Sequence, residues 1–268
     1  MYLRRSKFVE MKQVCIFLIS FFVTGILHAQ VQYIAHRGAS YDAPENTVAS
    51  AKLAWDQGAD AVECDIYLAK DNRIMVIHDH NTKRTCHGKN FEIKDTPSLL
   101  LRDLDAGLWK GPQFKGEKIP FLTDIIKTIP KDKKLVIEIK CSADVLPFLN
   151  KVAEKSNRLS DFIFICFDWE VMVQTHQLFP ENACYWLSST KSGLRKKMEQ
   201  SVEAGMKGVN LQYKIIDEEV IAWAKELKLE VLAWTVDDPA EARRLIGLGV
   251  TKITTNRPKW LKEEVEKL

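Results

Sequence analysis

The chain has 268 residues, 46% hydrophobic and 28% charged, with 39 Lys+Arg against 36 Asp+Glu. The small basic excess belongs to the first 29 residues, since without Arg4, Arg5, Lys7, Lys12 and Glu10 the two signs stand at 35 each. A balanced remainder gives no support to nucleic acid or an anionic membrane as a standing partner. Its length fits one large domain or two small ones, with ample chain to bury a core.

In chain order, the basic stretch "MYLRRSKFVEMKQ" precedes an apolar run from Val14 to Leu27, which ends in "LHA" before Gln30. Fourteen apolar residues are too few to span a bilayer. The pattern predicts a secretory signal over residues 1–29, with Met11 as a second possible start. The expectation is an exported protein, periplasmic or secreted, with no stable membrane insertion once the signal is removed. Cys15 lies inside the apolar run without a lipid-attachment context. The five remaining cysteines, Cys64, Cys86, Cys141, Cys166 and Cys184, show no metal spacing. They read mostly as small buried residues, with at best one disulfide.

From Val31 onward short apolar runs alternate with amphipathic ones. Strands are predicted near 31–35, 60–67, 134–139, 161–167, 182–188, 207–211, 230–235 and 251–254. Helical patterns lie between them, such as "PENTVASAKLAWDQG", "DEEVIAWAKELK" and "DPAEARRLIGLG", the last two opened by an Asp suited to capping. Strands apolar on both faces and separated by helices imply a parallel sheet. Eight such units imply a closed (β/α)₈ barrel, with an open doubly wound sheet as the alternative. One segment breaks the alternation: in "YLAKDNRIMVIHD" the turn signal Asp71-Asn72 folds a second β run back on the second strand. A turn centred between residues 71 and 72 sets Asp65 opposite His78. Residues 79–120 are polar and irregular and read as an insertion over one barrel end, a length that usually carries function.

The chemistry gathers at strand ends. In "AVECDIYL", Glu63 and Asp65 share one strand face while Cys64 takes the other. Two carboxylates so placed cannot both stay ionised unless a cation lies between them. "KLVIEIK" brings Glu138 and Lys140 to the same mouth. Three carboxylates suit a hard divalent ion, Ca²⁺ or Mg²⁺, rather than zinc. His36 ends the first strand and His78 ends the hairpin arm, where a barrel places catalytic groups. One imidazole suits taking a proton from an attacking oxygen and the other giving one to a leaving oxygen. Arg37 offers a planar fork, Lys140 a point charge and the ion a third positive group, which together fit a phosphate diester. Gly38 either lets the backbone approach the ligand or makes the turn. Glu45, read in the first turn of the first helix, either reaches the site or complements the helix dipole. His80, His87 and His176 have no assigned role.

The motifs "AHRGAS…PENT", "VECDIYLAKDNRIMVIHD", "LLLRDLDAG", "IPFLTDII", "LVIEIK" and "AWTVDDP" resemble the glycerophosphodiester phosphodiesterase family across nearly all of the chain after residue 29. The resemblance implies a (β/α)₈ barrel that hydrolyses glycerophosphodiesters to sn-glycerol 3-phosphate and an alcohol with one divalent ion. By position it implies His36 and His78 as the acid/base pair and Glu63, Asp65 and Glu138 on the metal. It also puts Arg37, Lys140 and Trp234 on the substrate, with residues 79–120 near the glycerol. At "ITTNRP" the family more often has Asp where this chain has Asn256, which puts the polar contacts of the last loop in doubt. Either water or the glycerol 2-hydroxyl serves as nucleophile on this reading. The alternatives are a lysophospholipase D or related lipid phosphodiesterase, and a non-catalytic relative that only binds glycerophosphodiesters. The sequence leaves the oligomeric state open.

Overall fold

The computed structural model describes residues 31–267, so the predicted signal over 1–29 lies outside the described residues. The strands in chain order are β1 (Gln32–Ala35), β2 (Ala61–Leu68), β3 (Ile74–Val76), β4 (Lys134–Ile139), β5 (Phe162–Cys166), β6 (Cys184–Ser188), β7 (Gly208–Gln212), β8 (Glu230–Trp234) and β9 (Lys252–Thr255). All but β3 run parallel, and β1 pairs with both β9 and β2. That double pairing closes the sheet into the expected (β/α)₈ barrel. Every predicted barrel strand is present, with ends shifted by at most two residues.

Both faces of these strands are apolar because both are covered. Ala61, Val136, Ile165, Tyr185 and Leu232 fill the barrel. On the outside Val62, Cys64, Ile137 and Phe164 meet the helices. The helices in chain order are α1 (Val48–Asp56), α2 (Ser98–Asp103), α3 (Leu122–Ile126), α4 (Leu146–Ser156), α5 (Trp169–Leu178), α6 (Leu194–Glu203), α7 (Glu218–Leu227), α8 (Pro239–Leu248) and α9 (Pro258–Glu266). As the sequence suggests, Asp217 caps α7 through Val220 N–H and Asp238 caps α8 through Ala240 N–H. All five described cysteines are free, and four of them are buried.

The hairpin arm differs from its predicted register. Ile66 pairs with Val76 and Leu68 with Ile74, so Ile77, whose N–H donates to Asp65 O at 3.0 Å, stands opposite Asp65. His78 lies one residue beyond. The cause is the turn: Asn72 adopts a left-handed φ of 63° and its N–H bonds to Ala69 O. This is a three-residue loop with a bulge, centred on Asp71, in place of a two-residue one.

Residues 79–120 hold only short helical turns and one short helix, and they are less polar in effect than in composition. Cys86, Ile93, Leu101, Ala106 and Ile119 form a small core of their own with Met75 and Ile77 of the hairpin side. The short helix α2 (Ser98–Asp103) is tied to the hairpin tip by Ser98 N–H and Oγ–H, both donating to Asp71.

Candidate active site

Strand alternation puts Ala61, Glu63 and Asp65 on the inner face of β2, and Val136 and Glu138 on that of β4. Ala61 and Val136 belong to the barrel filling. The carboxylates therefore form the layer directly above it, at the C-terminal mouth. The parallel register pairs Asp65 with Glu138. Glu63, Asp65 and Glu138 are all buried, and one ligand oxygen from each lies within 4.8 Å of the others.

Such a cluster is costly, since each charge is desolvated beside like charges. Burial and the Asp65 charge push the carboxyls of Glu63 and Glu138 up. Four groups offset part of this cost. Arg37 N–H donates to Glu63 Oε2 at 2.7 Å. Asn46 holds Asp65 twice, its Nδ2 donating to Oδ2 at 2.7 Å and its Oδ1 accepting Asp65 N–H at 3.1 Å. Lys140 Nζ lies 2.8 Å from Glu138 Oε1 and 3.7 Å from Asp65 Oδ1. Arg37 Nε lies 3.3 Å from Asp65 Oδ2. Two buried oxygens still accept no hydrogen bond, Glu63 Oε1 and Asp65 Oδ1. Orphaned oxygens in a triad of carboxylates are what a hard cation would satisfy, so the residues fit one.

The loop after β1 brings His36 and Arg37 to this layer. Arg37 takes a left-handed φ of 54° and Gly38 one of 79°. A Cβ on Gly38 would come within 2.5 Å of Ser50 Oγ, so this glycine makes the turn and lets the loop lie on α1. Glu45 is not in the first turn of α1. Thr47 caps that helix in a capping box with Ser50, and Asn46, at φ 56°, breaks the helical path before it. Glu45 is thereby free to reach the site, where it accepts from Arg37 Nη1 at 2.9 Å. Part of the Arg37 fork is thus engaged within the protein.

Behind Glu45 lies a residue that sequence reasoning missed. Arg84, from the insertion, donates to both Glu45 oxygens at 2.7 Å and to Asp79 Oδ2 at 2.7 Å. Asp79 in turn lies 2.6 Å from His78 Nδ1. Arg84 and Arg37 hold Glu45 down at about 2, and Arg84 and His78 do the same for Asp79. The chain Arg37–Glu45–Arg84–Asp79–His78 runs from the barrel into the insertion and back to the mouth. The only sequence sign of it is the position of Arg84 shortly after "HD".

His36 and His78 line one cavity with Arg37, Glu63, Glu138, Lys140 and Trp234. All the site residues expected from the sequence except Asp65 line this cavity, and Asp65 is buried beside Arg37 and Lys140. His36 Nδ1 is 2.8 Å from Asn256 Oδ1, so the departure at Asn256 touches the proposed acid/base pair itself. Burial and neighbouring Arg37 lower His36 to about 4, and burial also lowers His78. Trp234 donates from Nε1 to Asn210 O at 3.1 Å and packs edge to face on Phe167 at 5.5 Å. It borders the mouth and caps the barrel filling at once.

Known proteins match this chain over nearly all of its described residues. Residues 36–260 match the Glycerophosphoryl diester phosphodiesterase family. A putative glycerophosphodiester phosphodiesterase of Bacillus subtilis is 33% identical over 85% of this chain and 95% of its own. A glycerophosphodiester phosphodiesterase of Caldanaerobacter subterraneus subsp. tengcongensis is 32% identical over 87% and 97%. The solved structure of an Oleispira antarctica phosphodiesterase, in complex with the product sn-glycerol-3-phosphate, superposes with a TM-score of 0.80 at 28% identity, covering 88% of this chain and 97% of that one. A barrel of this topology, a carboxylate triad at its mouth and matches that span the whole domain lead to one conclusion: the chain belongs to the glycerophosphoryl diester phosphodiesterase family.

Proposed function

We propose that this protein hydrolyses glycerophosphodiesters to sn-glycerol 3-phosphate and an alcohol, with a divalent ion, Ca²⁺ or Mg²⁺, held by Glu63, Asp65 and Glu138. The carrying observation is the buried carboxylate triad with its two orphaned oxygens, flanked by Arg37, Lys140 and two histidines. When bound, the ion would supply positive charge for the phosphate oxygens. Lys140 and the free part of the Arg37 guanidinium bind and orient the diester. One of His36 and His78 accepts the proton of the attacking oxygen, which belongs to water or to the glycerol 2-hydroxyl. The other donates a proton to the leaving alkoxide. Trp234 and Phe167 give one side of the cleft an apolar wall.

The alternative substrate, a lysophospholipid, needs an acyl channel. A cavity of about 710 Å³ between the hairpin, the insertion and the loop after β4 is lined by Tyr67, Leu68 and Cys141 as well as by Lys70, His80 and Glu92. Its lining mixes apolar and polar groups and favours neither substrate, so turnover decides between them. A purely binding role is disfavoured by the presence of both histidines and all three carboxylates. The decisive assay uses glycerophosphocholine, glycerophosphoethanolamine, glycerophosphoinositol and a lysophospholipid, each with and without chelator. Absence of turnover on all of them with metal present would refute the reading.

Export is part of the proposal and rests on the basic and apolar segments of residues 1–29. No helix among the described residues is long and apolar enough to cross a membrane. Intact mass of the exported protein should correspond to cleavage near Ala29; a mass that retains the segment would disprove processing.

A further inference from the structure

We infer that Asn256, with its amide turned by Asp237, is a positioning residue that holds His36 in the tautomer carrying its proton on Nδ1, so that Nε2 is left as a proton acceptor. The inference rests on the reading of His36 as one of the acid/base pair. It starts from donors and acceptors alone. Asp237 Oδ1 accepts Thr255 Oγ–H and Asn256 N–H, each at 2.8 Å, and Oδ2 lies 2.5 Å from the Asn256 side-chain nitrogen. A carboxylate has no proton to give, so the amide must present NH₂ to Asp237 and its oxygen to the opposite side. The reverse orientation would set oxygen against oxygen.

On that opposite side stand Ser40 Oγ, at 2.8 Å, and His36 Nδ1, at 2.8 Å. Ser40 has a hydroxyl proton to donate to the amide oxygen. His36 satisfies the same oxygen only if Nδ1 bears hydrogen. In a neutral imidazole the other nitrogen then carries the lone pair. The main chain that carries the ring is held beside the same loop, since the backbone N–H of His36 donates to Thr255 O at 2.9 Å, next to Asn256 in the chain.

An amide oxygen differs from a carboxylate here. It accepts the Nδ1 proton but brings no full negative charge to stabilise an imidazolium. The compensating charge lies one residue farther back, on Asp237. The pair thus sets the tautomer without holding the ring charged, which suits a group that must begin its cycle as an acceptor. Burial, which keeps His36 neutral near pH 7, acts in the same direction.

The test uses the whole protein labelled with ¹⁵N. Two-bond ¹H–¹⁵N correlations of imidazoles distinguish the two neutral tautomers, and the His36 signals are those lost in His36→Gln. The expected wild-type pattern at pH 8 is Nδ1–H, and Asp237→Asn, which frees the amide to turn, should give a mixture. In turnover of glycerophosphocholine, Asn256→Leu should lower kcat about tenfold or more with KM within a few-fold, because the wrong tautomer cannot accept the proton. Asn256→Asp restores an acceptor and should recover most of that loss. An Nε2–H pattern in the wild type would overturn the inference, as would unchanged turnover by Asn256→Leu. If Asn256→Leu does not fold, the wild-type and Asp237→Asn spectra decide the matter. A wild type that turns over no glycerophosphodiester would refute the phosphodiesterase reading instead, and the tautomer would still be measured.

Discussion

His36 is carried by the barrel and His78 by the arm that leaves it, and the polar groups behind the two rings differ in kind. Behind His36 stand a neutral amide and then a carboxylate, both on the loops that follow β8 and β9. Behind His78 stands a carboxylate directly, and behind that an arginine from the insertion. The barrel side is held by strand register and by buried hydrogen bonds. The insertion side is held by ion pairs whose Arg84 member is 43% exposed. Removal of a group at the mouth should therefore cost more in the barrel half than in the insertion half.

The largest effect expected is on the barrel half. Exhaustive chelation should abolish turnover, and Ca²⁺ or Mg²⁺ should restore it, because three buried carboxylates at one mouth need a counter-ion. Full activity after chelation would remove the metal from the mechanism. Next, His36→Ala and His78→Ala should each lower kcat by roughly 10²–10⁴ with KM within a few-fold. Steady-state kinetics on folded variants decides this, and small equal effects would return both residues to a structural role. Arg37→Ala should instead raise KM, since its contact with the phosphate exists before reaction as well as during it.

Arg84→Ala should cost less, roughly tenfold in kcat, because it acts on His78 through Asp79. The same variant has a pH signature. Glu45 and Asp79 are held at about 2 in the folded protein, below their ordinary values. They contribute stability above the unfolded range near 4, and lose it as pH falls toward 2. Arg84→Ala lacks most of that contribution already at pH 7. The gap in Tm between wild type and variant should thus narrow as melts are taken from pH 6 down to pH 2.5, and a constant gap would show that Arg84 holds neither carboxylate. The smallest effect on chemistry should come from Gly38→Ala, a substitution outside the reacting groups. It should destabilise by about 1–3 kcal/mol, from the left-handed φ and the collision with Ser50. Urea melts would measure it.

The sequence made the barrel half legible because strand alternation is a strict rule. Once β2 and β4 are recognised, Glu63, Asp65 and Glu138 must face inward together. No such period governs the insertion. Arg84 joins Glu45, 39 positions earlier in the chain, to Asp79, a pairing no local pattern encodes. The hairpin register failed by one residue for a local reason, the left-handed Asn72, which lengthens the loop. Glu45 reaches the site, one of its two expected roles, but from outside the first helical turn that "PENT" suggests, because Asn46 gives its side chain to Asp65 and its backbone to a turn. The departure at Asn256 is visible in the sequence, but only folding brings the last barrel loop beside the first.

The small core that the insertion builds with the hairpin is separate from the clusters around the barrel. A separate apolar nucleus is a condition for a cooperative unit that opens by itself. Amides such as those of Cys86 and Ile93, bonded within the insertion to Thr82 O and His80 O, should then exchange with solvent at a lower free energy than the barrel ladders do. The same separation bears on evolution. Mutations between residues 79 and 120 are charged mainly against this local nucleus, so the walls above the mouth can diverge while the carboxylate layer below keeps its strand register.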